Sequence, residues 1–464
     1  MDVAANPVVQ LIAIESQNSE EKLEKSHSGT IQAQVSGIDD AEINADREHN
    51  SANDPIDFED NFPEGGLRAW LVVLGAFLTL FPSFGLMVSI GTLQDYWHTQ
   101  QLAAYSSRDV GWIPSVFVYL SLGLGIWIGP LFDRYGPRWI IILGSAAYIA
   151  MMFLLAECKL YWQFMLCMGV LGGIAGAALT TTSLAVVAHW FKVRRGLVQG
   201  IAMGGNSFGG VCIPLVLRAA LPRYGYTWAI RILAFVFATC LILSNFLLRA
   251  RLPPNSGRKG GIVSFHIFLD LRFSLLTLAV FGFEIVLFGT LGILPTYASL
   301  STEYPADTGF YLISVMNGVS CFGRVIPGFL ADRYGRFNIL LISIVGTLIL
   351  MLVVWLPFGA SSLPALYVFV ALFGFGTGCW MALTPACVGQ LCRADEFGRY
   401  FGTMYFLASL ATLVCVPITG ELVEVVGGQA MVGFLCAVLS MSMCAFVCSR
   451  WACLGWSWSW TEKV

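Results

Sequence analysis

GPLFDRYGPRW, residues 129–139, returns as GFLADRYGRFN at residues 328–338. Both copies contain G-x-x-x-D-R-Y-G, and Asp133 and Asp332 stand 199 residues apart. Each copy is a short charged segment between long stretches with no Asp, Glu, Lys or Arg. Val110–Phe132 and Trp139–Ala156 flank the first, Thr308–Gly323 and Phe337–Cys392 the second. A bilayer-crossing helix needs roughly 20 apolar residues. The repeat therefore reads as a loop between membrane helices, used twice. Pro214 and Pro417, each near a helix end, recur at a similar interval of 203 residues. Two like halves around a midplane site is the plan of a secondary transporter.

The remaining charge-free stretches complete the set. Ala69–Gln94, Leu160–Phe191, Gly196–Leu217 and Ile232–Leu248 belong to the first half. In the second, Phe273–Thr302 is interrupted by Glu284, and the span from Thr308 continues past Arg324. LPFGASSLP (Leu356–Pro364) divides Phe337–Cys392 in two, because Pro and Gly close helices. Tyr400–Gly420 and Val425–Ser449 end the series. The expected fold is an all-α integral membrane protein of twelve transmembrane helices in two pseudo-symmetric six-helix bundles. The expected domains are an acidic disordered cytoplasmic tail (1–62), an N-terminal bundle (63–249), a cytoplasmic basic linker (250–272), a C-terminal bundle (273–450) and a short cytoplasmic tail (451–464).

Composition narrows the function. The 464 residues are 57% hydrophobic and 12% charged, against roughly 45–50% and 25% in soluble domains. That argues against a cytosolic enzyme, a secreted disulfide scaffold and a nucleic-acid binder. The 48 glycines and 14 tryptophans suit close helix packing and membrane interfaces. Residues 1–64 hold 15 of the 29 acidic residues, and without a signal-peptide pattern they read as a solvated tail. Twenty of the 26 Lys and Arg residues fall in that tail and the even-numbered loops, and five in the odd loops. The positive-inside rule then places both termini in the cytoplasm. The thirteen cysteines lie almost wholly in apolar stretches and form no CxxC, so they read as small hydrophobes. No Gly-x-x-x-x-Gly-Lys and no catalytic constellation occur. The expectation is no enzyme, no cofactor and no metal.

Twelve spans in a 6+6 arrangement with this loop motif after spans 2 and 8 resemble the major facilitator superfamily. PEGGLRAW (Pro63–Trp70) and HWFKVRRGLVQGIAMGGNSFGG (His189–Gly210) resemble the signatures of its monocarboxylate porter family. With QDYW (Gln94–Trp97) and SSRDVGWIPS (Ser106–Ser115), the chain is most similar to the fungal branch. The resemblance covers residues 62–450. It implies that the loop motif (Gly129, Asp133, Arg134, Gly136 and Arg138; Gly328, Asp332, Arg333, Gly335 and Arg336) controls conformation and not substrate choice. Asp133 could cap a helix N-terminus or pair with Arg134 and Arg138. In the porter family an Arg of span 8 meets the substrate carboxylate, and Arg324 holds that position. Proton-linked members carry an Asp four residues earlier, where this chain has Ser320, and a span-1 Lys, where it has Val88.

Charged groups inside spans are costly and are the default site candidates. Arg324 suits bidentate carboxylate binding, or it could serve the gate with Asp332. Glu284 could carry a proton or act as a structural hydrogen-bonding group. Asn206 and Asn317 are cavity polar groups or interhelical glue. Trp380 and Tyr405, on spans 10 and 11, are ligand-stacking or packing aromatics. His189 is placed at the interface. The expected function is transport of a small organic anion or metabolite by alternating access, with spans 1, 4, 5, 7, 8, 10 and 11 around the site. Export of a fungal secondary metabolite is the alternative, and a non-transporting sensor is the alternative of another class. The expected partners are a small-molecule substrate, the lipid bilayer and protons as candidate coupling ion, with no nucleic acid. Plasma membrane is expected first, vacuolar membrane second.

Overall fold

The structure is a computed structural model that describes residues 62–252, 265–299, 308–456 and 462. The acidic tail and most of the linker lie outside the described residues. Everything described is helix or connecting turn. The first four spans are α1 (Leu67–Thr99), α2 (Asp109–Tyr135), α3 (Pro137–Leu155) and α4 (Tyr161–Ala188). Arg195–Leu247 is a single run of 53 helical residues. Straight, at about 1.5 Å per residue, it would reach about 80 Å, over twice the roughly 30 Å hydrocarbon core. It breaks at Gly225, whose φ of 73° is open to glycine at little cost. The part before Gly225 is α5 and the part after it α6. Next come α7 (Leu271–Ser299), α8 (Thr308–Tyr334), α9 (Arg336–Phe358), α10 (Leu363–Leu391), α11 (Phe397–Glu421) and α12 (Gly428–Cys453). With the broken helix counted as two spans, the described residues hold the expected twelve.

Local chemistry sets several boundaries. Ser106 opens α2: its hydroxyl oxygen accepts the Asp109 amide at 3.1 Å. LPFGASSLP separates α9 from α10 as expected, and Ser362 caps the new helix by accepting the Ala365 amide at 3.4 Å. Both copies of the loop motif end their helix alike. Gly136 and Gly335 take φ of 77° and 99°, and their amides close the last turn onto Phe132 O (2.8 Å) and Ala331 O (2.9 Å).

The outside of the bundle is apolar. Leu143 on α3, Phe246 on α6, Ile342 on α9 and Met441 on α12 are all exposed. A surface of this kind is stable only against lipid. The halves meet along two antiparallel helix pairs, α2 with α11 and α5 with α8, where glycines let backbones touch. A Cβ at Gly129 would strike the Gly398 carbonyl, and one at Gly402 the Gly125 carbonyl. On the other pair, Gly196 abuts Gly328, and Gly200 abuts the Arg324 backbone.

Candidate transport site and gate

Both loop-motif aspartates cross from one half to the other. The Asp133 carboxylate at the end of α2 accepts the first amides of α11, Gly398 N–H at 3.1 Å and Arg399 N–H at 2.8 Å. The Asp332 carboxylate at the end of α8 accepts the first amides of α5, Gly196 N–H and Leu197 N–H, both at 2.8 Å. Each negative charge sits on the positive end of a helix macrodipole and fills two amide donors that the helix leaves open. Of the two sequence readings for Asp133, the helix cap is the one built. Arg134 and Arg333 turn outward and lie over the rings of Tyr135 and Tyr334 at 5.4 and 5.6 Å. Arg138 is exposed, whereas Arg336 is buried, 3.7 Å from Asp332, and donates to the Lys192 and Val193 carbonyls.

The loop from α4 to α5 gathers contacts that the sequence did not announce. The Glu64 carboxylate accepts the amides of Lys192 and Val193, both at 2.6 Å, and of Arg194 at 3.1 Å. Arg195 donates to Gly389 O at the far end of α10, and to Phe191 O and Ala188 O. Trp190 Nε1–H donates to Arg249 O at 2.8 Å, and Arg251 to His189 O at 2.9 Å. His189 is buried 5.1 Å from the Phe132 ring. Burial, helped by Arg195 and Arg251, lowers its pKa to about 4, so it is neutral near pH 7. The clue to Glu64 was a carboxylate directly before the glycine pair that precedes α1. The clue to Arg195 was the Arg-Arg pair at the start of α5.

Away from the motif end the halves part around a cleft, and their remaining contact there includes Arg218 on α5 over the Tyr311 ring on α8 at 5.7 Å. A cleft of about 150 Å³ opens between α1, α2, α7, α8 and α11. Met87, Val88, Phe288, Leu291 and Ile313 give it apolar walls; Ser89, Thr92, Gln94, Ser115 and Thr412 give it polarity. No charged side chain lines it among the described residues. The hydroxyls of Ser89, Thr92, Ser115 and Thr412 are spent on carbonyls of their own helices. The Gln94 carboxamide is not, so it is the polar group best placed for a ligand. Typical ligand pockets run to roughly 300–1,000 Å³, so this cleft must widen to admit a metabolite. A helical bundle sealed at one end by inter-half caps and open at the other is one end state of alternating access.

A profile of the Major Facilitator Superfamily matches residues 72–414 and 319–454. The chain belongs to the Major Facilitator Superfamily. It is a multi-pass membrane transporter for small molecules. It is 34% identical over 439 residues to the riboflavin transporter MCH5 of Saccharomyces cerevisiae, covering 89% of this chain and 83% of that one. It is 34% identical over 383 residues to the aspyridones efflux protein apdF of Emericella nidulans, covering 82% and 77%. Among solved folds, the human organic anion transporter MFSD10 aligns with a TM-score of 0.67 at 18% identity, covering 82% of this chain and all of that one. The E. coli fucose:proton symporter aligns at 0.62 and 16% identity, covering 80% and 98%.

Within this facilitator the six candidate residues all lie in the sealed half, below the cleft, and none lines it. Ile313, Asn317, Ser320 and Arg324 share one face of α8 at helical spacing, so that face runs from the cleft wall about 16 Å down to Arg324. Ser320 Oγ lies 2.6 Å from Ser207 Oγ on α5, and the Asn317 amide presses on Gly210. Arg324 is 3% exposed, and its Nε and Nη1 have no hydrogen-bond partner among the described residues. Asp332 is engaged elsewhere, so the gate pairing weighed for Arg324 does not form. Asn206 is fully buried, and both its amide atoms lack a hydrogen-bond partner among the described residues. Trp380 stacks on Phe283 at 5.1 Å and 28°, as packing, and its Nε1 likewise has no partner among them. Tyr405 lines a second, smaller void with Phe84, Thr181 and Met203. The expected ring of cavity helices therefore changes: α2 enters the cleft wall, while α4, α5 and α10 stay outside it. Val88 is in the wall.

Proposed function

We propose that this facilitator carries a small organic metabolite with an acidic group, and that Arg324 receives that group. The observation behind the reading is a guanidinium held in the sealed half with two donors unfilled. A buried cation without a partner is costly, and an anionic ligand removes that cost. Below Ile313 in the cleft wall, Asn317 and Ser320 put polar groups on the face of α8 that leads to Arg324. The monocarboxylate porter signatures support the same position for the charge. The loop-motif and linker arginines favour a cytoplasmic motif end, with both termini on that side and the cleft facing out, in the plasma membrane.

A second reading is export of a fungal secondary metabolite. The uncharged cleft with Phe288, Leu291 and Ile313 favours it, as does the likeness to apdF. The two readings separate on Arg324. The purified protein is reconstituted in vesicles and offered riboflavin and a panel of aromatic and aliphatic carboxylates. Losing one partner of a buried charge pair costs about 2–5 kcal/mol. Arg324→Ala therefore abolishes carboxylate flux, and Arg324→Lys, without the fork, retains little. Wild-type flux in Arg324→Ala removes Arg324 from the site and leaves the apolar, Gln94-bearing cleft as the binding surface.

A further inference from the structure

We propose that Glu284 is a proton-binding site, and that the sealed packing below the cleft requires its carboxyl to be protonated. This goes beyond the substrate reading and depends on neither Arg324 nor the cargo. Glu284 lies in the middle of α7 and is 2% exposed. Its Oε2 has no hydrogen-bond partner among the described residues, and it forms no ion pair. Phe288, Leu291 and Gly292 line the cleft and stand four, seven and eight residues further along α7. Glu284 thus shares their face, about 6 Å deeper than Phe288.

Among the described residues, the neighbouring helices offer no compensating charge. On α11 the group that faces Glu284 is Tyr405. On α10, Trp380 stacks on Phe283, and Cys379 turns to Ser343 on α9. On α8, Arg324 makes no pair with Glu284. On α12, Ser442 presses on Gly282, and Arg450 donates to Asn338 at 2.8 Å. An ionised carboxylate in such a place costs far more than a lost hydrogen bond, and the group neutralises instead.

Proton binding and closure are therefore linked. When the cleft widens by one helical turn, water reaches Glu284 and the O–H bond breaks, releasing the proton to that water. When the helices repack, the carboxylate takes a proton back before it is buried. Anything that binds one conformation better than the other shifts their balance, and here the ligand is H⁺. The porter family's relay is missing at Ser320, which is bonded to Ser207, so Glu284 supplies a coupling group by another route.

The test needs no substrate. Hydrogen–deuterium exchange is measured on the full chain in nanodiscs across a pH series, corrected for intrinsic exchange rates. The readout is the cleft-wall peptides spanning 87–94 and 111–118. Wild type gains protection several-fold as pH falls. Glu284→Gln, a permanent mimic of the neutral acid, is protected at every pH, and Glu284→Asp keeps a pH response. The readout uses no cargo, so failure of the substrate reading leaves this one standing. The proposal is overturned by a wild-type cleft indifferent to pH, by a wild-type pH response in Glu284→Gln, or by a folded Glu284→Gln that is unprotected throughout.

Discussion

Asp133→Asn attacks the seal at one of its two pins. The carboxylate accepts two backbone amides, at 3.1 and 2.8 Å, from the other half of the molecule. Asparagine keeps one acceptor oxygen and turns its NH₂ toward the second amide, so one hydrogen bond becomes a donor–donor conflict. A hydrogen bond to a charged group is worth about 1.5–3 kcal/mol. At about 1.4 kcal/mol per decade, opening of the motif end rises roughly 10- to 150-fold. Cys392 reports this directly. It follows α10 at the motif end, half-buried, with its thiol donating to Val388 O at 3.3 Å. Burial pushes that thiol well above its ordinary range, so it reacts slowly while the end is shut. Maleimide labelling read by peptide mass spectrometry then follows the open population. Asp133 is itself a minor influence on the Cys392 thiol, and Asp332 is not. Asp332→Asn is therefore the control, and its Cys392 labelling should accelerate by a similar factor with no local charge change. If both variants fold and label Cys392 at the wild-type rate, the caps do not hold the end shut.

Two further outcomes follow from the same end of the molecule. Glu64→Gln removes the charge that three amides of the α4–α5 loop share. Helix-cap losses run to about 0.5–2 kcal/mol, so a lower unfolding temperature in a thermal-shift assay is expected, together with faster Cys392 labelling. His189, neutral in the fold with a pKa lowered to about 4, gives stability a pH slope. The unfolded chain binds the proton more readily, so stability present at pH 7 is lost as pH falls from about 6.5 toward 4, by about 2 kcal/mol at pH 5. His189→Gln flattens that part of a melting-temperature profile, and an unchanged profile assigns the acid sensitivity to another group.

The fold was legible because its signal is crude. Charge-free runs mark spans, and a repeated DRYG marks the symmetry, whatever the packing. The break at Gly225 was legible for the same reason, since the uncharged runs stop at Leu217 and resume at Ile232. The gate was half legible. The motif pointed to Asp133 and Asp332, but their partners are main-chain amides of Gly196, Leu197, Gly398 and Arg399, which carry no side-chain signature. The cleft was least legible. Its wall is built from Ser89, Thr92, Gln94, Ser115 and Thr412, residues that any membrane helix holds, and only the angle between halves brings them together. Charges such as Arg324 and Glu284 stand out in sequence because they are rare in membranes. That rarity identified them without saying that both lie beneath the cleft and not in its wall.

The division of labour between backbone and side chain explains how one frame can serve different cargo. Below the cleft, α2 meets α11 and α5 meets α8 through glycine and carbonyl, and each pair is pinned by one aspartate on two amides. That surface constrains a few positions tightly: adding one methyl group at Gly129 or Gly200 drives it into a facing carbonyl. Above it, the halves part around the cleft and Arg218 on α5 lies over the Tyr311 ring on α8 at 5.7 Å, while the cleft-wall hydroxyls are held by their own helices. Substituting Gln94, Phe288 or Thr412 changes what the wall presents without disturbing a single inter-half hydrogen bond. The residues that hold the seal and those that line the cleft are thus largely separate sets, as suits a site carried by a shared fold. Between the two regions lie Glu284, Asn317 and Arg324, all buried in this state. On the readings proposed above, these groups link cargo to conformation, because their solvation changes with the motion that moves the substrate.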